Sequence, residues 1–249
     1  MKRRTVLVTG ASSGIGRTIC ETLAERGDHV IGMARDFSKF PNVATHLVGH
    51  YAIDLADPKA LQPQVRNLTA AHPDIDAVIC NAGYGRFGHL EQFSFEQITR
   101  LMDVNFTSHA CLVRACLPLM RTKERSNFIF MGSEAALRGT QQGAVYCASK
   151  FAMRGFAQAL REECAAANIG VTMINPGMVR TPFYDAQDFA PGAAPENYSL
   201  PEDVAAVVCS VLDMRPGTAL DEINMSPQKR VIQFRRHDSG GKSEADGNE

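Results

Sequence analysis

Thr5-Val6-Leu7-Val8-Thr9-Gly10-Ala11-Ser12-Ser13-Gly14-Ile15-Gly16 decides the fold. Five strand-forming residues run directly into a turn holding three glycines, and residues 14–26 continue at helical spacing. Short β-branched or apolar runs recur at 29–33, 47–53, 77–80, 128–131 and 171–174. Most are apolar on both faces, as strands of a parallel sheet covered on each side must be. Residues 91–122, 146–167 and 202–213 carry helical spacing with few breakers. The alternation predicts an α/β fold: a doubly wound parallel sheet in a three-layer αβα arrangement.

With 249 residues, 45% hydrophobic and 21% charged, the chain is long enough for one large core. No repeat or linker divides it, so a single domain is expected over 1–236. Residues 185–201, with Pro191, Gly192 and Pro195, lack periodicity and are expected to form a mobile loop, a candidate lid. Residues 237–249 are small and polar, the composition of a disordered tail. Lys and Arg total 26 against 27 Asp and Glu, a net charge of -1 that favours neither nucleic acid nor an anionic membrane. Seven scattered cysteines without a Cys-x-x-Cys read as buried thiols in a reducing cytosol, with no disulfide framework and no metal. A cytoplasmic location follows. The basic start Met1-Lys2-Arg3-Arg4 precedes an apolar run too short for a signal peptide, and no stretch approaches the roughly 18 apolar residues of a membrane span.

The glycine turn carries the first chemistry. Glycines permit a tight strand-to-helix turn and let the backbone of Gly10, Ser12, Ser13, Gly14, Ile15 and Gly16 approach a phosphate. The free N–H groups of the helix then meet its charge. No lysine follows, which disfavours a P-loop; an ordinary βα turn is the competing reading. The second strand ends Met33-Ala34-Arg35, where a carboxylate would normally accept a ribose 2′-hydroxyl. Arg35 there supplies a donor for a 2′-phosphate and favours NADP(H) over NAD(H). The alternative is a solvated Arg35 with Asp36 doing the acid's work. Arg17 adds positive potential or faces solvent.

Tyr146-Cys147-Ala148-Ser149-Lys150 puts a phenol and an ammonium one helical turn apart. A nearby cation favours phenolate and lowers the phenol's pKa; a chance surface pair has the same spacing. Ser133 follows the strand ending at Met131, at the sheet edge where α/β folds bind ligands, or it is a turn cap. Asn105 is a polar interruption of the long helix over 91–122, or holds a water in a proton relay.

Together these motifs resemble the short-chain dehydrogenase/reductase family, in the branch with chains of about 250 residues, from Thr5 to about Pro227. T-G-x-x-x-G-x-G matches Thr9 to Gly16, N-N-A-G matches Cys80-Asn81-Ala82-Gly83 with its first Asn replaced, and P-G-x-x-x-T matches Pro176 to Thr181. The resemblance implies a Rossmann fold and the tetrad Asn105, Ser133, Tyr146 and Lys150. In it Tyr146 is the general acid and base, Ser133 polarises the carbonyl, Lys150 tunes Tyr146 and holds a ribose, and Asn105 anchors the relay water. It further places Asp54 and Leu55 at the adenine, Asn81, Ala82 and Gly83 at its ribose, and Pro176, Gly177, Val179 and Thr181 beside the nicotinamide. The reaction expected is NADP(H)-dependent interconversion of a ketone or aldehyde and an alcohol. A homodimer or homotetramer built on the helices over 91–122 and 146–167 is implied as well.

Two other classes compete. A catalytically silent dinucleotide sensor or scaffold commonly loses the Tyr or Lys, and both are present here. An extended-branch epimerase or dehydratase shares Tyr-x-x-x-Lys, but the short chain and glycine spacing stand against it. By analogy the substrate is expected to meet segments 84–90, 134–143 and 183–200, with Tyr84, Phe87, Leu137, Phe183, Tyr184 and Phe189. Arg86, Arg138 and Arg180 would form a cationic rim suited to an acidic or acyl-bearing carbonyl, unless they are solvated or pair with Glu91 and Glu134.

Overall fold

The computed structural model describes residues 3–235; the tail over 237–249 lies outside them. Nine strands alternate with helices: β1 (Thr5–Thr9), β2 (His29–Ala34), β3 (Gly49–Ala52), β4 (Ala77–Cys80), β5 (Ser126–Met131), β6 (Ile169–Pro176), β7 (Phe189–Pro191), β8 (Glu222–Met225) and β9 (Ile232–Phe234). The helices are α1 (Gly14–Glu25), α2 (Val43–His46), α3 (Pro58–Ala71), α4 (Phe95–Met102), α5 (Ser108–Met120), α6 (Ala144–Cys164) and α7 (Pro201–Asp213). Seven strands form one sheet in the order β3-β2-β1-β4-β5-β6-β8, every pair parallel. The chain starts mid-sheet, winds outward to β3 and returns to β4, so the order reverses between β1 and β4. A crevice opens at the carboxyl ends of the strands there.

Strand alternation explains the layers. Leu7, Val78 and Phe128 point to one face, where they pack on Leu61, Val65 and Leu68 of α3 and on α5 and α6. Val6, Val8 and Ile79 point to the other, against Ile19 and Leu23 of α1 and Val204 and Val208 of α7. Each such fully buried Leu, Ile or Val contributes roughly 1.5–3 kcal/mol of burial. The three-layer doubly wound architecture is therefore as expected.

Four local features differ from expectation. Helix α3 hides behind Pro58 and Pro63; Pro58 sits in the first turn, where it costs no hydrogen bond, and Asp57 caps the helix by accepting from Lys59 and Ala60 N–H at 3.1 Å. The sheet has a seventh strand, β8, whose Glu-Ile-Asn-Met stretch is too short to stand out. The stretch over 91–122 is not one helix. A π-helical turn, Asp103–Thr107, separates α4 from α5, and such turns re-aim side chains at functional sites. Finally, residues 185–201 are not a bare loop. They contain β7, paired antiparallel with β9, and Val179 bridges to Ser199. The partner of β7 lies about 40 residues further along, outside any local window.

Candidate active site

The turn after β1 is built as its glycines require. Gly10 and Gly14 have φ of 66° and 52°, in the left-handed region. A Cβ on Gly16 would stand 2.2 Å from the Gly10 carbonyl oxygen. Helix α1 begins with no side-chain cap on Ser13 and no acidic residue in its first turn, which keeps its N-terminus available to an anion. Every residue named above for the dinucleotide, from Gly10 through Arg35, Asp54, Leu55 and Gly83 to Thr181, lines one cavity of about 1100 Å³.

Arg35 is exposed at that cavity's wall. Asp36 is engaged elsewhere: its carboxylate accepts from Ser38 N–H at 2.8 Å and from Ser38 Oγ at 2.5 Å, contacts that hold its pKa below the ordinary value. Arg17 turns aside, donating to Glu21 at 2.8 Å and lying 5.0 Å over the Phe40 ring. Arg100 of α4, which sequence reasoning missed, lines the same cavity with its guanidinium 3.6 Å from Asp54. Its helical position carries no local signal of this; only the fold brings α4 to β3's end. Asn81 braces the turn, donating from Nδ2 to Thr9 O at 2.9 Å.

Ser133, Tyr146 and Lys150 line the cavity together. Ser133 is both cap and wall: its Oγ accepts from Ala135 N–H at 3.1 Å. Burial pushes the Tyr146 phenol up to about 12, and the Ser133 hydroxyl pulls against that rise. Lys150 lies 5.8 Å from the Tyr146 ring centre and donates to Met131 O at 3.0 Å. Burial depresses its ammonium to about 8. Desolvation therefore decides the phenol's pKa in the free protein, which lies above the ordinary value where a lowered one was expected. Asn105, fully buried in the π turn, does not line the cavity. It receives Tyr84 N–H on Oδ1 at 3.0 Å and donates from Nδ2 to Tyr84 O at 3.0 Å and Ser149 Oγ at 3.1 Å.

His109, one turn beyond Asn105, is a buried residue the sequence did not flag. Its Nδ1 is 3.4 Å from the Asn105 carbonyl oxygen, a pure acceptor, so Nδ1 carries the proton. Nε2 then accepts from Thr9 Oγ1 at 3.1 Å, and Thr9 Oγ1 in turn accepts Asn81 and Ala82 N–H at 2.9 and 3.0 Å. The glycine turn is thereby tied to the π turn. Burial first, and the Lys150 charge second, push the imidazole down to about 4. The unfolded chain, with a histidine pKa of about 6.5, binds a proton that the native state refuses between those values, so stability falls as pH drops. The loss from this group is about 3 kcal/mol in all, complete near pH 4. Urea unfolding from about pH 7 to pH 4 is expected to show this slope in wild type and a flatter one in His109→Gln.

The substrate side departs from expectation in its charges. Phe87, Phe183, Tyr184 and Phe189 line the cavity, as does Tyr84, but Leu137 does not. Of the three arginines only Arg86 lines it, with its guanidinium 5.5 Å over Phe93. Arg180 donates to Tyr198 Oη at 2.8 Å, and Arg138 lies exposed outside. Glu134 bonds neither; it accepts from Arg230 at 2.8 Å and from Ser226 Oγ. Ile232 and Phe234 of β9 complete the wall from the C-terminal end of the described chain.

A doubly wound parallel sheet with this cavity at its reversal point is the build of a nucleotide-binding protein. The sequence profile of the short chain dehydrogenase family matches residues 4–189, and the chain belongs to that family. It is 27% identical over 241 residues to sepiapterin reductase of Chlorobaculum tepidum, covering 92% of this chain and 98% of that one. It is 32% identical over 178 residues to the 3-oxoacyl acyl-carrier-protein reductase FabG of Salmonella typhimurium, covering 70% and 73%. In structure it is similar to an alcohol dehydrogenase of the archaeon Thermococcus sibiricus solved with 5-hydroxy-NADP, with a TM-score of 0.82, 22% identity and coverage of 92% and 99%. No helix among the described residues is long and apolar enough to cross a membrane.

Proposed function

We propose that the protein is an NADP(H)-dependent reductase of ketones or aldehydes, with Tyr146 as its general acid. The observation that carries this reading is one cavity lined both by Arg35 and the glycine turn and by Ser133, Tyr146 and Lys150. The free N-terminus of α1, which Gly16 lets pack directly against the Gly10 carbonyl, fits a dinucleotide's phosphates, and Arg35, with Asp36 turned to Ser38, fits a 2′-phosphate. A reduced nicotinamide, when bound, supplies hydride to the carbonyl carbon.

The protein's residues handle the oxygen. Ser133 donates a hydrogen bond to the carbonyl oxygen and positions it, and Tyr146 delivers a proton as negative charge develops there. A phenol whose pKa lies near 12 keeps its proton at neutral pH, so the resting enzyme is ready for reduction and not for oxidation. Lys150 restores the phenol's proton and reaches for a ribose. Both amide hydrogens of Asn105 are already engaged, so a relay water would sit on its main-chain carbonyl, the atom His109 also approaches. The names of two relatives, both reductases, support the same direction. A homo-oligomer in the cytoplasm belongs to the same proposal; Phe95 of α4 and Phe151 of α6 are 85% and 43% exposed on the two helical regions it would use.

The test follows NADPH absorbance with a panel of ketones and aldehydes. Turnover of at least one is expected; tight dinucleotide binding with no turnover of any would replace the enzyme by a sensor. Arg35→Asp is expected to swing the kcat/KM ratio for NADPH over NADH by about 100-fold toward NADH, since it removes a charged donor and adds a repelling carboxylate. An unchanged ratio would remove Arg35 from phosphate recognition.

A further inference from the structure

We infer that the carbonyl compound held by this site is flat and uncharged, with its reacting group conjugated to an aromatic ring; this rests on the reductase reading above. Five aromatic rings, that of Tyr146 among them, close a circuit. Ring centres lie 5.1 Å apart for Tyr146 and Phe87, 5.0 Å for Phe87 and Phe189, and 5.8 Å for Phe189 and Tyr184. The circuit returns through Tyr184 and Phe183 at 5.1 Å and Phe183 and Tyr146 at 6.1 Å. All five rings line the cavity. They come from three places in the chain: the segment after β4, helix α6, and the stretch from residue 183 into β7.

The cage is built, since glycine at one position is what allows it to close. A Cβ on Gly85 would stand 2.4 Å from Phe183 Cζ and 2.7 Å from Phe87 Cε2. Three of the five contacts are edge-to-face, with interplanar angles of 82°, 68° and 76°. The walls thus present both ring faces and ring edges, the two surfaces against which a further aromatic ring packs. A rigid ring loses little conformational freedom on entering, whereas an alkyl chain loses several rotors for the same buried area.

Charge argues against an anion. Glu134 is the carboxylate that lines this half, and Arg230 and Ser226 already occupy it. Arg86 is spread over Phe93, and Arg235 donates to the carbonyls of Asp185 and Tyr184 at 2.9 and 3.0 Å. A substrate carboxylate or phosphate would lose its water among aromatic walls, and of the three arginines expected at a cationic rim only Arg86, exposed over the Phe93 ring, lines the cavity to meet it.

The inference is tested by calorimetric titration of the protein saturated with NADP⁺, which holds the site assembled without reducing a ketone. Propiophenone is expected to bind about ten-fold tighter than 2-nonanone, a ketone of the same carbon count, and methyl 4-acetylbenzoate about ten-fold tighter than 4-acetylbenzoate. Phe189→Leu, which opens the circuit, is expected to shrink the first ratio to about three-fold with NADP⁺ affinity unchanged. Equal or tighter binding of 2-nonanone, equal binding of the carboxylate, or no binding of either aryl ketone overturns the inference. Turnover with NADPH separates it from the reading beneath: aryl ketones that bind while the wild type reduces no ketone or aldehyde of the panel sink the reductase and leave the ligand class standing. Reduction of 2-nonanone without aryl preference does the reverse.

Discussion

Tyr146→Phe is expected to lower kcat/KM for carbonyl reduction by about 10³, with NADPH affinity changed less than about two-fold. The phenol's hydroxyl is the proton donor proposed beside Ser133, and its removal takes away about 4 kcal/mol of transition-state stabilisation. The ring itself survives the change, so its contacts with Phe87 and Phe183 persist and the fold is undisturbed. The wild-type pH profile carries the sign of the argument. A phenol with its pKa raised to about 12 remains an acid through neutral pH, so the reductive rate does not rise with pH there. Alcohol oxidation needs the phenolate and rises with pH over the same range. Initial rates in both directions from about pH 6 to pH 10 check this; a reductive rate that rises with pH would remove Tyr146 as the acid, as would equal turnover by the Phe variant.

What was legible in the sequence follows the range over which its signals act. The turn at Gly10–Gly16 and the spacing of Tyr146 and Lys150 are local, and each sits in the structure where its residue types need it. The strands at the centre of the sheet were legible because they are buried on both faces and therefore apolar throughout, as β1 is. Two lateral elements, β8 and β9, escaped. In β8 one tetrapeptide alternates Glu222, Ile223, Asn224 and Met225, because an edge strand is wet on one side. In β9, Ile232 and Phe234 are more than half exposed, and only the pairing with β7 makes them a wall of the cavity. The arginines on the substrate side show the same limit. Arg180 and Arg86 look alike in the chain, yet the ring of Tyr198 claims one and Phe93 the other. His109 had no signal at all, for its partners Thr9 and Asn105 are 100 and 4 residues away and joined only by the fold.

Lys150→Met is expected to lower turnover sharply while raising thermal stability, and the two effects have one cause. The ammonium of Lys150 is buried, and its pKa falls from 10.5 to about 8. A lysine whose folded pKa is depressed destabilises the fold wherever it stays charged, and the penalty disappears as pH rises from about 8 through about 10.5. At neutral pH that penalty is about 3 kcal/mol. Methionine fills nearly the same volume without the charge and forfeits the bond to Met131 O, worth about 1–2 kcal/mol. The net gain is then about 1–2 kcal/mol, or a rise of about 2–8 °C in Tm for a chain of this length. Turnover should fall by about 10² or more, since the phenol loses the cation beside it and the route by which its proton returns. Scanning calorimetry at neutral pH, paired with NADPH oxidation, measures both. The gain in Tm should vanish when the comparison is repeated near pH 10, where the wild-type lysine is neutral in the fold. A variant that is inactive and also less stable at neutral pH would mean that the ammonium holds the site together, instead of being held there at a cost that catalysis requires.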